Sequence, residues 1–223
     1  MVALVGVGQK RGAVMQDQEG RAVGKTQVEE KREAILEAGK EVLFEYGYLG
    51  ASVDEVLRRV GGSKRTIYKY FESKEGLFGA IVTELVNQAM QPLEMSLFDE
   101  EGELYATLEA LGHTYLDVIL REESVAIFRI AASEGIGHPA LGKALFESGP
   151  GAAVKRLAAY LHHQNKIGVV TIKDVDLAAR HYYGMVRSDL HMRALLGLPL
   201  PAPAEINRDT RQAVASFVRI YQA

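Results

Sequence analysis

Residues 52–74, SVDEVLRRVGGSKRTIYKYFESK, restrict the folding options of this chain more than any other stretch. Ser52 with Glu55 three residues on is a capping box, in which the hydroxyl takes an orphan helix amide and the carboxylate reaches back. Val53, Val56, Leu57 and Val60 then recur at helical spacing. Gly61-Gly62 ends that helix, because glycine enters positive φ without a Cβ clash. Ser63 is placed to cap a second helix, with Ile67 and Phe71 four apart on one side. Its other side carries Lys64, Arg65, Thr66, Tyr68, Lys69 and Tyr70. Between residues 56 and 74 stand six basic side chains (Arg58, Arg59, Lys64, Arg65, Lys69, Lys74) and one acidic one, Glu72. A helix, a glycine turn and a helix with basic, hydroxyl and aromatic side chains predict a helix-turn-helix that reads DNA.

At 223 residues and 48% hydrophobic content, the chain can bury a sizeable core as one large domain or two small ones. Its formal net charge of −3 means that nucleic-acid affinity has to come from a local basic patch, which residues 56–74 supply. The absence of cysteine excludes a disulfide framework and cysteine-ligated zinc, and it fits a reducing compartment. The opening MVALVGVG is followed, not preceded, by Lys10 and Arg11, the wrong order for a signal peptide, and it is far too short for a membrane span. A cytoplasmic location with no membrane partner is expected.

Residues 1–25 are glycine-rich without a helical period and read as a flexible arm. Thr26 with Glu29 predicts a helix to about Tyr46, with Ile35, Ala38, Val42 and Leu43 inward and Gly47 as its end. Ser73 caps a fourth helix that points Leu77, Ile81, Val82, Leu85 and Val86 inward and fades near Pro92. The acidic run 98–102 reads as a domain boundary. Beyond it, helices are expected over about 103–119, 123–133, 139–147, 150–166, 174–196 and 204–221, with no competing strand alternation. The prediction is an all-α protein. It consists of the arm 1–25, a three-helix DNA-binding domain 26–75, a connecting helix 76–98, and a larger ligand-binding and dimerisation domain 99–223.

The run SKRTIYKYFESKEGLF resembles the signature of the TetR family of bacterial repressors, in which a serine, a hydroxyl residue, a tyrosine, an aromatic pair and a Ser-Lys recur in this order. Glu45-Tyr46-Gly47-Tyr48 resembles the family's exit from its first helix, and the close resemblance spans about residues 33–82. Farther on, Arg129-Ile130-Ala131-Ala132-Ser133-Glu134, His138-Pro139 and the FESGPG run resemble the regulatory region of the AefR-like branch. The resemblance implies a transcription regulator, a repressor that binds double-stranded operator DNA as a homodimer and is released by a small, mostly apolar effector. It implies no cofactor and no catalysis, and it leaves the effector's identity open.

Candidate DNA contacts are Ser63, Lys64, Arg65, Thr66, Tyr68, Lys69, Tyr70 and Lys74. Lys64 and Arg65 lie at the end of the reading helix that points into the major groove, where arginine can fork onto guanine. Thr66 can meet a phosphate or a thymine methyl. Tyr68 and Tyr70 resemble the family's phosphate-contacting aromatics, and Lys74 sits in the first turn of the next helix, where amides also favour phosphate.

On the later helices, Tyr105, His113, Tyr115, Phe128, His181, Tyr182 and Met185 are candidate lining of an apolar effector pocket, with plain core packing as the competing reading. The resemblance puts the dimer contact on the final two helices. There Leu177, Tyr182, Met185, Val186, Val214, Phe217, Val218 and Tyr221 exceed what one thin helix pair buries, and they form the candidate interface. One alternative is an all-α enzyme or metal-binding protein using the C-terminal histidines, with His162-His163, His181, Asp189 and His191 as ligands. Adjacent histidines point to different helix faces, and neither Glu-x-x-His nor His-Glu-x-x-His occurs, so no metal is expected. No glycine-rich phosphate loop and no Gly-x-Ser-x-Gly elbow occur either. A pure interaction module that has lost DNA binding is the other alternative, and the intact basic and hydroxyl run speaks against it.

Overall fold

The computed structural model describes residues 26–95 and 103–221, which form helices joined by turns and short links, with no β-strand. The arm expected over 1–25 and the acidic boundary expected over 98–102 lie outside the described residues. Helix α1 (Gln27–Gly50) starts at its capping box, with the Thr26 N–H donating to Glu29 Oε2 at 2.7 Å and the Glu29 N–H to Thr26 Oγ1 at 3.3 Å. Its regular geometry stops at Gly47, where φ is 65°, and a short turn through Tyr48 follows. Helix α2 (Val53–Val60) is capped by Ser52 and ended by Gly61, and α3 (Lys64–Phe71) is capped by Ser63. Val56 and Ile67 are fully buried and share one core with Ile35, Val42 and Leu43 of α1.

Helix α4 (Lys74–Met95) begins against the end of α3 with no room to spare. A Cβ on Gly76 would stand 2.0 Å from the Phe71 carbonyl oxygen. The Gly76 N–H donates to Ser73 Oγ at 2.9 Å, and the chain turns through Glu72 at φ 64°. One face of α4 packs on α1, where a Cβ on Gly39 would fall 2.4 Å from Ile81 Cδ1. The sequence predicts a helix that fades near Pro92, yet α4 continues to Met95. Met90 and Leu93 are only 4% and 1% exposed. Burying two such side chains contributes about 1.5–3 kcal/mol each, which offsets the cost of about 3 kcal/mol for an interior proline.

The larger part comprises α5 (Leu104–Ile119), α6 (Glu122–Glu134), α7 (Pro139–Ser148), α8 (Pro150–Lys166), α9 (Val175–Arg187), α10 (Leu190–Leu196) and α11 (Pro203–Tyr221). A chain of rings holds α5, α9 and α11 together. Tyr115 meets Tyr183 at 4.5 Å, Tyr183 meets Tyr182 at 5.2 Å, Tyr182 meets Phe217 at 5.4 Å and Phe217 meets Tyr221 at 4.8 Å. The buried Tyr182 hydroxyl donates to the Leu108 carbonyl, and Gly112 leaves the space for it, since a Cβ there would lie 3.0 Å from the hydroxyl oxygen.

The single helix that periodicity predicts over 174–196 is two helices. Ser188 breaks it at φ 44° and ψ −130°, and α10 then turns onto α6. There the Arg129 guanidinium donates to the carbonyls of Leu195 at 2.8 Å and Ala194 at 2.7 Å, satisfying the end of α10. No glycine or proline marks the break, so the local pattern runs through it.

Two stability outcomes follow. Gly76→Ala should cost about 3 kcal/mol, the upper end of overpacking costs, because the clash is with backbone that cannot rotate away. An unchanged urea midpoint would show that the α3–α4 corner relaxes freely. Ser188→Gly should instead raise stability by about 1 kcal/mol, since relief of strain of about 1–3 kcal/mol exceeds the unfolded-state entropy that glycine adds. A midpoint that does not rise would mean the backbone at Ser188 is unstrained.

Candidate DNA-reading face and effector cavity

Caps and ion pairs fix the reading helix against the scaffold. The Ser63 and Thr66 hydroxyls lie 3.0 Å apart, and Ser63 Oγ also accepts the Thr66 N–H at 3.2 Å, so Ser63 caps the start of α3. Lys31 Nζ of α1 donates to the Val60 carbonyl at the end of α2 at 3.1 Å. Arg59 on α2 reaches Glu41 at 3.0 Å, Glu55 at 3.5 Å and also Glu45, which ties α2 to α1. Its charge is therefore committed to bracing, and the three carboxylates hold its guanidinium protonated.

Among the expected DNA contacts, Arg65, Tyr68 and Lys69 are exposed. Lys64 is exposed as well, but its ammonium pairs with Asp54 of α2 at 2.8 Å, which raises its pKa. A solvated pair of this kind contributes little, so exchanging Asp54 for a phosphate is easy. Tyr70 is half-buried, 6.2 Å from the Phe71 ring. Lys74 departs from expectation. Its half-buried ammonium lies 4.8 Å from the Tyr48 ring centre and 6.0 Å from that of Phe78, where it braces the α1–α4 corner through cation–π attraction. Tyr48 in turn stacks on His138 at 4.4 Å, and the Ala140 N–H of α7 reaches Glu75 at 3.5 Å, so the start of α7 sits on the reading domain.

Behind α4 lies a cavity walled by α4, α5, α6 and the α7–α8 junction. It encloses about 600 Å³ of free space counted to its open mouth, of which only about 70 Å³ admits the centre of a water molecule. It is a narrow slot. Leu85, Val86 and Met90 of α4 face Ile127, Phe128 and Leu145. At its tight end, a Cβ on Gly149 would stand 2.9 Å from the Leu145 carbonyl and 3.2 Å from Val86. Its polar lining comes from Tyr115, Ser124, Arg187 and His191. Burial and then the nearby Arg187 charge hold the His191 imidazole below its usual pKa, so it is neutral at pH 7. Burial pushes the Tyr115 phenol up, with Arg187 pulling the other way.

Of the seven residues expected to line an effector pocket, the slot gathers only Tyr115 and Phe128. The Tyr105 hydroxyl lies 3.4 Å from the Arg211 carbonyl, His113 pairs with Glu109 at 3.8 Å, and His181 Nδ1 bonds the Tyr221 hydroxyl at 2.9 Å. Tyr182 is core, and Met185 lines a separate hollow beside Asp209 and Thr210. The expected dimer set also needs correction. Tyr182, Val186, Val214 and Phe217 are at most 2% exposed within one chain, because α5 covers the inner faces of α9 and α11. Leu177 is exposed, while Met185, Val218 and Tyr221 are half-buried. Among the described residues no three His, Asp or Glu side chains converge as metal ligands. No described helix is long and apolar enough to cross a membrane.

Sequence reasoning missed Arg187 as a lining residue and took His191 only as a possible metal ligand. Their i, i+4 spacing was visible, but which wall they face depends on the Ser188 break and the Arg129 clasp.

Residues 35–81 match the bacterial regulatory proteins of the tetR family, and residues 106–223 match the C-terminal domain of AefR-like transcriptional repressors. The HTH-type transcriptional regulator YhgD of Bacillus subtilis is 31% identical over 114 residues, covering 48% of this chain and 60% of that protein. The HTH-type transcriptional repressor ComR of Escherichia coli is 29% identical over 77 residues, 34% of this chain and 37% of its own. The HTH-type transcriptional activator FasR of Mycolicibacterium smegmatis is 33% identical over 85 residues, 37% and 39% respectively. The chain thus spans 60% or less of the length of these relatives. A crystal structure of a TetR-family regulator from Mesorhizobium loti is similar with a TM-score of 0.80 at 26% identity, over 89% of this chain and 100% of that one. The Flavonoid-responsive Regulator FrrA gives 0.75 at 28% identity, over 86% and 97%. With its helix-turn-helix and more than half of its length matched, the chain belongs to the TetR family of bacterial regulatory proteins.

Proposed function

We propose that the chain is a homodimeric repressor whose hold on operator DNA is released by a small, mostly apolar effector. The observation that carries this reading is that one helix serves both places: the first turn of α4 is locked to the reading helix at Gly76, and its second half walls the slot through Leu85, Val86 and Met90. Helix α7 offers a second route, from Leu145 in the slot to His138 and Ala140 on the reading domain. The match to AefR-like repressors supports repression, and the name of FrrA supports a response to a small molecule. Since FasR is named an activator, the sign has to be measured.

The reading domain, residues 26–75, would enter the major groove with Arg65 at a base edge and Lys64, Thr66, Tyr68 and Lys69 on the backbone. Two copies have to stand about 34–36 Å apart to reach successive grooves. A ligand that parts α4 from the α7–α8 junction disturbs that spacing only if it binds one arrangement more tightly, and typical coupling is about 1–3 kcal/mol. The partner copy would meet the outward faces of α9 and α11. Leu177, His181 and Gly184 recur there at i, i+4 and i+7, and Ile220 of α11 is 60% exposed.

The direct test is selection of bound duplexes from a random DNA pool, followed by titration of the selected and a scrambled duplex. Arg65→Ala should cost about 1–3 kcal/mol on the selected duplex and much less on the scrambled one. Equal losses on both would take Arg65 out of base reading. For the dimer, Leu177→Glu combined with Ile220→Glu should yield folded monomers by light scattering and circular dichroism, with operator binding lost. A variant that stays dimeric would place the interface elsewhere.

A further inference from the structure

We infer that the effector is an amphipathic organic anion, with an apolar body in the slot and one carboxylate or phenolate paired with Arg187. This rests on the reading of the slot as the effector site and adds the chemistry of the ligand. Charge on the lining is one-sided. Arg187 is the only permanently charged side chain among the lining residues, no carboxylate is among them, and the other polar groups are the Tyr115 and Ser124 hydroxyls and the neutral His191 ring. Among the described residues no carboxylate lies within ion-pair distance of Arg187. Asp176 borders only the neighbouring, more open hollow, which shares Tyr115 and Arg187 with the slot.

Three ligand charges can be weighed against this wall. A cation would lose its water in a site that returns no counter-charge. A neutral molecule would fill the apolar part and leave the guanidinium to water. An anion gains a charge-assisted, forked contact to the planar guanidinium, while the Tyr115 and Ser124 hydroxyls and the His191 ring can donate to the remaining lone pairs. Arg187 lies close to both the Tyr115 hydroxyl and the His191 ring, so a single head group can meet all three. The narrowness of the slot favours a chain or a flat ring over a bulky body.

The full-length protein should be titrated calorimetrically with two probe series differing only in head group. One is octanoate, octanol and octylammonium; the other is naphthalene-2-carboxylate, 2-naphthylmethanol and 2-naphthylmethylammonium. Within at least one series the carboxylate should bind roughly ten- to a hundredfold more tightly than the alcohol, with the ammonium weakest. In Arg187→Gln, at an exposed position whose loss leaves the core intact, that advantage should vanish while alcohol binding is unchanged. Equal binding of the three head groups, preference for the ammonium, or a carboxylate advantage that survives Arg187→Gln would overturn the anion assignment and leave the slot as the effector site. Ala89→Phe, which fills the slot, separates the two readings. If no probe binds the wild type, or if binding is undiminished by Ala89→Phe, the effector-site reading falls together with the anion.

Discussion

The reading helix is presented to DNA by a corner with no spare volume, where the Phe71 carbonyl at the end of α3 sits 2.0 Å from the position of a side chain on Gly76. Helices normally leave a few ångströms of side chain between themselves and a neighbour. Here the first turn of α4 meets the last turn of α3 through bare backbone, so neither can tilt alone. The same helix meets α1 at Gly39, and Lys74 seals the junction by laying its ammonium on the Tyr48 ring. With Arg59 joining α2 to α1 through Glu41 and Glu45, the first four helices form one packed block. Under the proposed regulation, a signal arriving along α4 would displace that block as a whole.

What was legible in the sequence was what the chain decides locally. Caps at Thr26, Ser52 and Ser63 and stops at Gly47 and Gly61 need only neighbours three or four residues away, and each stands where the sequence places it. The failures share the opposite property. Pro92 stays helical because Met90 and Leu93 find a core that local pattern cannot see. The break at Ser188 sets α10 against α6, where Arg129, more than sixty residues upstream, bonds the Ala194 and Leu195 carbonyls at the end of α10, a partner that local pattern cannot see. Lys74 had the right position for a phosphate, but it lies over an aromatic ring supplied by another helix.

Aromatic side chains were the most misleading signal. A sequence with tyrosines on successive helices suggests either a ligand-binding interior or a partner surface. Most of the rings on α9 and α11 instead serve each other in the series Tyr115, Tyr183, Tyr182, Phe217 and Tyr221. Each such pair adds about 0.5–1.5 kcal/mol beyond the area it buries. The series also gives the domain a stiff wall: Tyr115 is its last member and simultaneously a lining residue of the slot. The side of the slot formed by α5 is thus backed by packed rings. The opposite side, at the α7–α8 junction, is held to α4 near Gly149 by glycine and aliphatic contacts.

That asymmetry sets what each wall would give up on moving. Displacing α5 would break the Tyr115–Tyr183 ring contact and the Tyr182 bond to the Leu108 carbonyl, whereas displacing the α7–α8 junction would break the packing of α7 on α4 and the Gly149–Val86 contact. Under the proposed regulation, a ligand that widens the slot pushes α7 and α8 away from α4 or tilts α4 toward the reading domain. Either response reaches DNA, because α7 touches the reading domain at Tyr48 and Glu75 and α4 is locked to α3 at Gly76. Under the proposed regulation the two routes meet at the same packed block, so both would act on one coordinate, the position of the reading helix.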